Sequence, residues 1–130
     1  MLSKEDHISY WKQTASDSWE TAEYLYGGKK FTEALFMYCL AIEKWLKAKW
    51  VKDNASNYPP RIHDLHSIYA ETDLPLEADD LDYMATVNRW NLDGRYPDYR
   101  FTLKKIATEE YMQKQLAKLN RLKQCLLKEL

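Results

Sequence analysis

Three polar residues, Asn88, Asn91 and Arg95, recur at spacings of three and four, which places side chains on one face of an α-helix. An arginine guanidinium offers a planar fork of donors that matches a phosphate, and amide groups can bond a base edge. Tyr96 and Tyr99 follow directly and supply aromatic faces on which bases stack. The pattern therefore indicates a surface that binds a phosphate or a nucleotide.

Asp98 leaves two alternatives open at this surface. In the first, Arg95 forms an ion pair with Asp98 or a hydrogen bond to a carbonyl at the helix end. The arginine then has only the structural role of fixing the loop. Otherwise Asp98 acts as a general base, which requires burial to raise its pKa. Because no other base is evident beside Arg95, the sequence favours binding over hydrolysis.

His63 and Asp64 follow a Pro-Pro turn and form a second candidate. A histidine beside an aspartate suits catalysis or metal binding, but either side chain can also cap the start of a short helix. The spacing of His63 and His66 suits two metal ligands on a helix, yet no third ligand is evident. We therefore predict a cap or packing role here, with no metal and no cofactor.

Glu43 and the lysines after it form a third candidate. Glu43 closes a long apolar stretch, so we expect it to be partly buried and paired in a salt bridge between helices. The alternative is a basic rim that supports phosphate binding beside the Arg95 loop. That rim combines Lys44, Lys47, Lys49, Lys52 and Arg61.

These side chains need a helical scaffold, and apolar residues recur at helical spacing along most of the chain. The helix over 31–53 is apolar on most sides between 34 and 42, which is typical of a helix surrounded by others. We expect one domain over 1–130, an antiparallel four- to five-helix up-and-down bundle. The predicted helices span 4–26, 31–53, 62–71, 76–92 and 108–130.

The chain holds five tryptophans and ten tyrosines. Trp11, Trp19 and Trp45 lie on apolar stripes and are predicted to pack in the core. Trp50 and Trp90 lie near helix ends, where we expect exposure. Exposed aromatic residues mark partner surfaces, so the sequence predicts a homodimer.

The totals narrow the class of protein. With 19 basic and 20 acidic side chains the net charge is −1, which argues against strong non-specific binding of nucleic acid. We expect Cys39 and Cys125 to be reduced core or near-core residues. Since no signal peptide and no membrane-length apolar run is visible, we expect a cytoplasmic protein without membrane contact.

Motifs in a fixed order resemble the HEPN domain family. The resemblance rests on the apolar helix 34–48 with Glu43-Lys44 and Leu46-Lys47-Ala48, then Pro59-Pro60 with His63-Asp64-Leu65, then Arg95-Tyr96-Pro97-Asp98, and the final long helix. It covers essentially the whole chain. It implies a HEPN-like bundle, frequent dimers, roles around nucleotides and RNA, and in some members a partner nucleotidyltransferase in a toxin–antitoxin-like system.

Some members of that family look like metal-independent ribonucleases with an arginine–x(4–6)–histidine motif. No histidine follows Arg95 in this chain. We therefore predict a dimeric binding module for a nucleotide, RNA or a partner nucleotidyltransferase. The alternatives are a divergent ribonuclease that lacks the usual histidine, or a purely structural interaction domain.

Overall fold

The computed structural model describes residues 1–93 and 95–130 in full. Gly94 is described only as part of a helix. The described part of the chain is all-helical, as predicted. Its helices are α1 (Lys4–Gly27), α2 (Phe31–Asp53), α3 (Leu65–Tyr69), α4 (Ala78–Arg95), α5 (Thr102–Ile106) and α6 (Glu109–Lys128). The short α5 was not predicted, and α4 continues three residues beyond the expected end.

Helix α2 is the centre of the bundle, and it packs against α1, α3, α4, α5 and α6. Its side chains are buried on nearly every side, which confirms the prediction from its apolar sequence. Trp45 contacts the aromatic ring of Trp19 from α1, with ring centroids 5.7 Å apart. The core therefore forms around α2, and side chains that emerge from this helix have fixed surroundings.

Side chains hold several of the helix ends. Ser3 and Asp6 form a reciprocal capping box at the start of α1. The Thr108 hydroxyl accepts the amide of Tyr111 at 3.2 Å at the start of α6. Lys4 Nζ donates to the carbonyl of Val51 at 2.8 Å, which fixes the start of α1 beside the end of α2.

The tryptophan prediction was wrong at two positions. Trp50 and Trp90 are buried, with 7% and 1% of their surface exposed. Both lie near helix ends, but the last turns of α2 are mostly buried up to Val51. Trp90 Nε1 donates to the Tyr111 hydroxyl at 3.2 Å. The α4–α5 connection instead carries three exposed aromatic side chains, Tyr96, Tyr99 and Phe101, and Tyr10, Tyr24 and Tyr58 are exposed elsewhere.

Cys39 is buried, Cys125 is half-buried, and both are free, as expected. Of the helices described, none combines the length and apolar character that crossing a membrane requires.

Candidate functional site

The innermost group of the candidate site is the buried carboxylate of Glu43, a residue of α2. Glu43 is 3% exposed and accepts a hydrogen bond from Lys47 Nζ at 3.2 Å, one helical turn later. Lys47 is also buried, and its ammonium lies 5.5 Å from the centre of the Trp11 ring. Because an unpaired buried charge is costly, each member of this pair depends on the other. Glu43 is buried and paired as predicted, but the expected salt bridge between helices is instead formed within α2.

His63 completes the carboxylate's surroundings from the loop that precedes α3. Its Nδ1 lies 3.1 and 3.2 Å from the two oxygens of Glu43. A carboxylate only accepts hydrogen bonds, so Nδ1 carries the proton and Nε2 holds the free lone pair of the neutral ring. The side chain is 47% exposed, which leaves the imidazole accessible to a ligand.

Arg95 ends α4 beside this imidazole. Its Nε donates to Asn91 Oδ1 at 2.6 Å, and its guanidinium carbon lies 5.3 Å from the centre of the Phe36 ring. Asn91 is 7% exposed and therefore fixed in position. The Nη2 atom of Arg95 lies 3.5 Å from Nδ1 of His63. An amide and an aromatic face thus orient the guanidinium, and its remaining donors face outward on an exposed residue.

Asn88 and Asp64 stabilise the scaffold around the site. Asn88 Oδ1 accepts the amide of Leu65 at 3.0 Å, and its Nδ2 donates to Asp64 Oδ1 at 2.9 Å. Asp64 accepts the amide of Ser67 at 3.1 Å, which confirms the predicted cap of α3. Hydrogen bonds from Ser67 and Asn88 hold the pKa of Asp64 below its ordinary value. Asn88, predicted to face a ligand, instead joins α4 to α3.

Asp98 does not have the surroundings that a general base requires. Its carboxylate accepts the amide of Leu103 at 3.1 Å and so caps α5. Hydrogen bonds from the amides of Thr102 and Leu103 hold its pKa below the ordinary value. A general base at neutral pH needs a raised pKa, so this hypothesis was wrong.

The predicted basic rim is not formed by the lysines of α2, because each contacts a neighbour. Lys44 Nζ donates to Ser18 Oγ at 2.8 Å, and burial lowers its pKa. Lys47 and Lys49 are buried in ion pairs with Glu43 and Asp53. Lys52 Nζ donates to the Glu129 carbonyl at 2.7 Å. Arg61, the remaining member of the predicted rim, is exposed. The cation that lies beside His63 is that of Arg95.

Tyr96 and Tyr99 follow Arg95 and are 67% and 88% exposed, so both rings remain accessible. His66 turns away from the site, and its Nε2 lies 3.0 Å from the Leu81 carbonyl. Among residues 1–93 and 95–130, no group of three or more His, Cys, Asp or Glu side chains is arranged to hold a metal ion.

Sequence reasoning missed how these residues come together. Glu43 and His63 were treated as separate candidates, and Phe36 was assigned only to the apolar stretch. The contact between Glu43 and His63 spans 20 residues and depends on the path of the α2–α3 loop. One feature of the sequence could have suggested this contact: Glu43 and His63 both belong to motifs on which the family resemblance rests.

Comparison with protein-family models gives a match to the HEPN domain over residues 8–130, nearly the whole chain. Comparisons with curated proteins and with solved structures give no significant match.

Proposed function

Because the chain belongs to the HEPN domain family, we propose that it is a binding module that holds a phosphate group of RNA or of a nucleotide at Arg95, beside His63. One observation carries the proposal: the Arg95 guanidinium is already oriented by Asn91 and Phe36 before any ligand arrives. Preorganised donors lose little freedom on binding, so more of the interaction energy appears as affinity.

The chemistry of the neighbouring groups supports this assignment. The outward N–H groups of Arg95 match the oxygens of a phosphate in a planar fork. Nδ1 of the His63 imidazole lies 3.5 Å from the guanidinium, and Glu43 holds the ring in place beside it. The exposed rings of Tyr96 and Tyr99 offer stacking surfaces beside the same helix end. A flexible single strand suits this surface better than a duplex, since its bases are free to stack.

The test is a fluorescence-polarisation titration of a short labelled single-stranded RNA with the purified chain. Losing a charge-assisted bond costs about 1.5–3 kcal/mol, so Arg95→Ala should weaken binding by about tenfold or more. The slope of log affinity against log salt should also fall by about one. Arg89→Ala is the matched control, because Arg89 is exposed on the same helix. Equal affinities for the Arg95 and Arg89 variants would remove the proposal.

A second candidate function, cleavage of RNA, is favoured by one specific observation. Glu43 fixes the proton of His63 on Nδ1, so the exposed Nε2 is free to act as a base. In that reaction Nε2 takes the proton of a ribose 2′-hydroxyl, whose oxygen bonds to phosphorus. The bond to the 5′-oxygen breaks, that oxygen takes a proton from water, and Arg95 stabilises the charge on the phosphate oxygens. His63 then takes the place of the histidine that the family's motif puts after the arginine.

Cleavage is tested with the same RNA and with a matched strand that carries 2′-deoxyribose at every position. The expected products are fragments ending in a cyclic phosphate, from the RNA strand alone. His63→Gln should abolish cleavage while it leaves most of the binding. RNA that stays intact at high protein concentration would reject cleavage and leave the binding proposal in place.

We further propose that the chain forms a homodimer, as the family resemblance implies, through a face around the exposed Leu92 near the end of α4. Leu92 is 51% exposed. Sedimentation equilibrium of the chain and of Leu92→Asp should show a dimer and a monomer respectively, and a monomer in both would reject this interface.

A nucleotidyltransferase partner stays a prediction, to be tested by co-expression with such a protein and co-purification.

A further inference from the structure

A second concave surface lies between the α1–α2 turn and the α4–α5 connection. This cleft has a volume of about 630 Å³ and is distinct from the Glu43–His63 contact. Phe36 belongs to both regions, because its ring lines the cleft and also contacts Arg95. The size lies within the range that proteins use for small organic ligands.

The cleft combines aromatic rings with ammonium groups, which come from two segments of the chain, residues 29–36 and 101–104. Its rings are Phe31, Phe36 and Phe101, and its lysines are Lys29, Lys30 and Lys104. Phe101 is 58% exposed, and the Lys104 ammonium lies 5.6 Å from the centre of its ring. An exposed ring beside a cation suits a planar ligand that carries a negative charge.

Carboxylates also line the cleft, and two of the three are engaged within the chain. Asp98 accepts the amide of Leu103, and Glu33 accepts the Thr32 hydroxyl at 3.0 Å. The lysines of the α1–α2 turn are exposed. Lys30 directly precedes the first residue of α2, and its side chain forms no capping hydrogen bond there. The formal charges of the lining cancel, three ammonium groups against three carboxylates. The exposed charged residues are the three lysines and Glu33, so the charge that meets solvent is positive on balance.

The backbone on both sides of the cleft has an unusual conformation. Lys29 has φ of 60° and Phe101 has φ of 53°, and they are the non-glycine residues with positive φ among those described. Side chains other than glycine adopt this region at a cost, and such residues concentrate at binding sites. Both residues line the same cleft, which agrees with a binding role suggested by the rings and charges.

We propose that this cleft binds a planar aromatic compound that carries a phosphate or carboxylate group. The ring inserts between Phe36 and Phe101, and the anion is held by Lys29, Lys30 and Lys104. This assignment does not depend on phosphate binding at Arg95. Two sources share the chemistry, a free nucleotide and an aromatic acid.

Calorimetric titration of the full chain tests the proposal with adenosine 5′-monophosphate in one arm and indole-3-carboxylate in the other. Adenosine and inorganic phosphate are the half-ligands. We expect at least one aromatic anion to bind about tenfold more tightly than either half-ligand, because stacking and the charge act together. Amide shifts in NMR spectra should change for residues 29–36 and 101–104.

Two variants remove one element of the cleft each. Phe101→Gly removes the ring and suits the positive φ, and Lys104→Gln removes a charge. Each should weaken binding about tenfold. Lys118→Gln is the matched control, because Lys118 also lies 5.6 Å from a ring centre, that of Tyr83, outside the cleft. Binding should persist in Arg95→Ala even if that variant loses RNA.

Three outcomes would overturn the proposal. The first is that neither aromatic anion binds at millimolar concentration. The second is that the shifted amides lie outside the two segments. The third is that Phe101→Gly and Lys104→Gln both bind as tightly as Lys118→Gln. Loss of RNA binding in Arg95→Ala with intact cleft binding would separate the two sites.

Discussion

The carboxylate of Glu43, in the middle of the central helix, accepts a hydrogen bond from Nδ1 of His63 at 3.1 Å. Glu43 is 3% exposed, while His63 reaches solvent from a loop 20 residues later in the chain. The core of the bundle therefore determines the orientation of a surface imidazole. The stability of the fold and the geometry of the candidate site depend on the same buried group.

Glu43→Gln should reduce the free energy of unfolding by about 3–5 kcal/mol, because it leaves the buried ammonium of Lys47 without a charged partner. Urea denaturation monitored by circular dichroism measures the change. The double variant Glu43→Gln with Lys47→Met should recover part of the loss. Glu110→Gln, in an exposed pair with Lys114, is the control and should leave the midpoint unchanged. A Glu43→Gln midpoint equal to that of the control would contradict the buried pair.

The neutral imidazole of His63 should carry its proton on Nδ1, since the Glu43 carboxylate accepts from that atom. Long-range ¹H–¹⁵N NMR spectra, recorded at a pH where the ring is neutral, distinguish the two tautomers. Glu43→Leu should remove this preference. A proton found on Nε2 in the unmodified chain would mean that the hydrogen bond between Glu43 and His63 does not form. The exposed Nε2 would then have no lone pair to act as the base that cleavage requires.

Stability should depend on Asp64 in a defined range of pH. Its pKa in the folded chain lies below the ordinary value of 3.8, chiefly because the Ser67 hydroxyl donates to it. The ionised group therefore stabilises the fold above pH 3.8, and this contribution is lost as the pH falls through the lower folded value. Asp64→Asn should be less stable than the unmodified chain at pH 6, and the difference should shrink below pH 3.8.

The matching cap variant, Asp64→Ala, should cost about 1 kcal/mol at neutral pH, since it removes the acceptor for the Ser67 amide. Thermal unfolding at several pH values follows both variants. Asp82→Asn, an exposed carboxylate on α4, is the control. A difference between Asp64→Asn and the unmodified chain that stays constant down to pH 2 would contradict the assignment.

The two cysteines should react at very different rates. Burial, with a smaller effect of the Glu43 charge, raises the pKa of the Cys39 thiol to about 12, so almost no thiolate is present at pH 8. Cys125 is half-buried and more accessible. Mass spectrometry after iodoacetamide treatment should show one modification in the folded chain, at Cys125, and two in denaturant. Rapid modification of Cys39 in the folded chain would show that the centre of α2 is accessible.

The sequence was sufficient for the scaffold because periodicity reports burial directly. The apolar residues of α2 predicted its central position and its bounds, and the cap of α3 at Asp64 was predicted from local residue types. The five-residue α5 escaped prediction because a single turn carries no periodic signal. Trp50 was predicted to be exposed because it lies near a helix end. The sequence did not show which other elements cover that end.

The site was predictable only in part. Asn91 and Arg95 share a helix face, and their spacing revealed it, but the same spacing could not show that Asn88 bonds Asp64. The lysines of α2 looked like a cationic surface because sequence gives charge without burial. The approach of His63 to Arg95 depends on where two distant segments meet, which local patterns do not encode.

The ring of Phe36 is at once a wall of the cleft and the surface on which Arg95 lies. A ligand that moves this ring from either side changes the free energy of binding on the other. Thermodynamic reciprocity then requires that each ligand alter the affinity of the other by the same factor. Titrating an aromatic anion with and without saturating RNA, and then RNA with and without the anion, measures that factor twice.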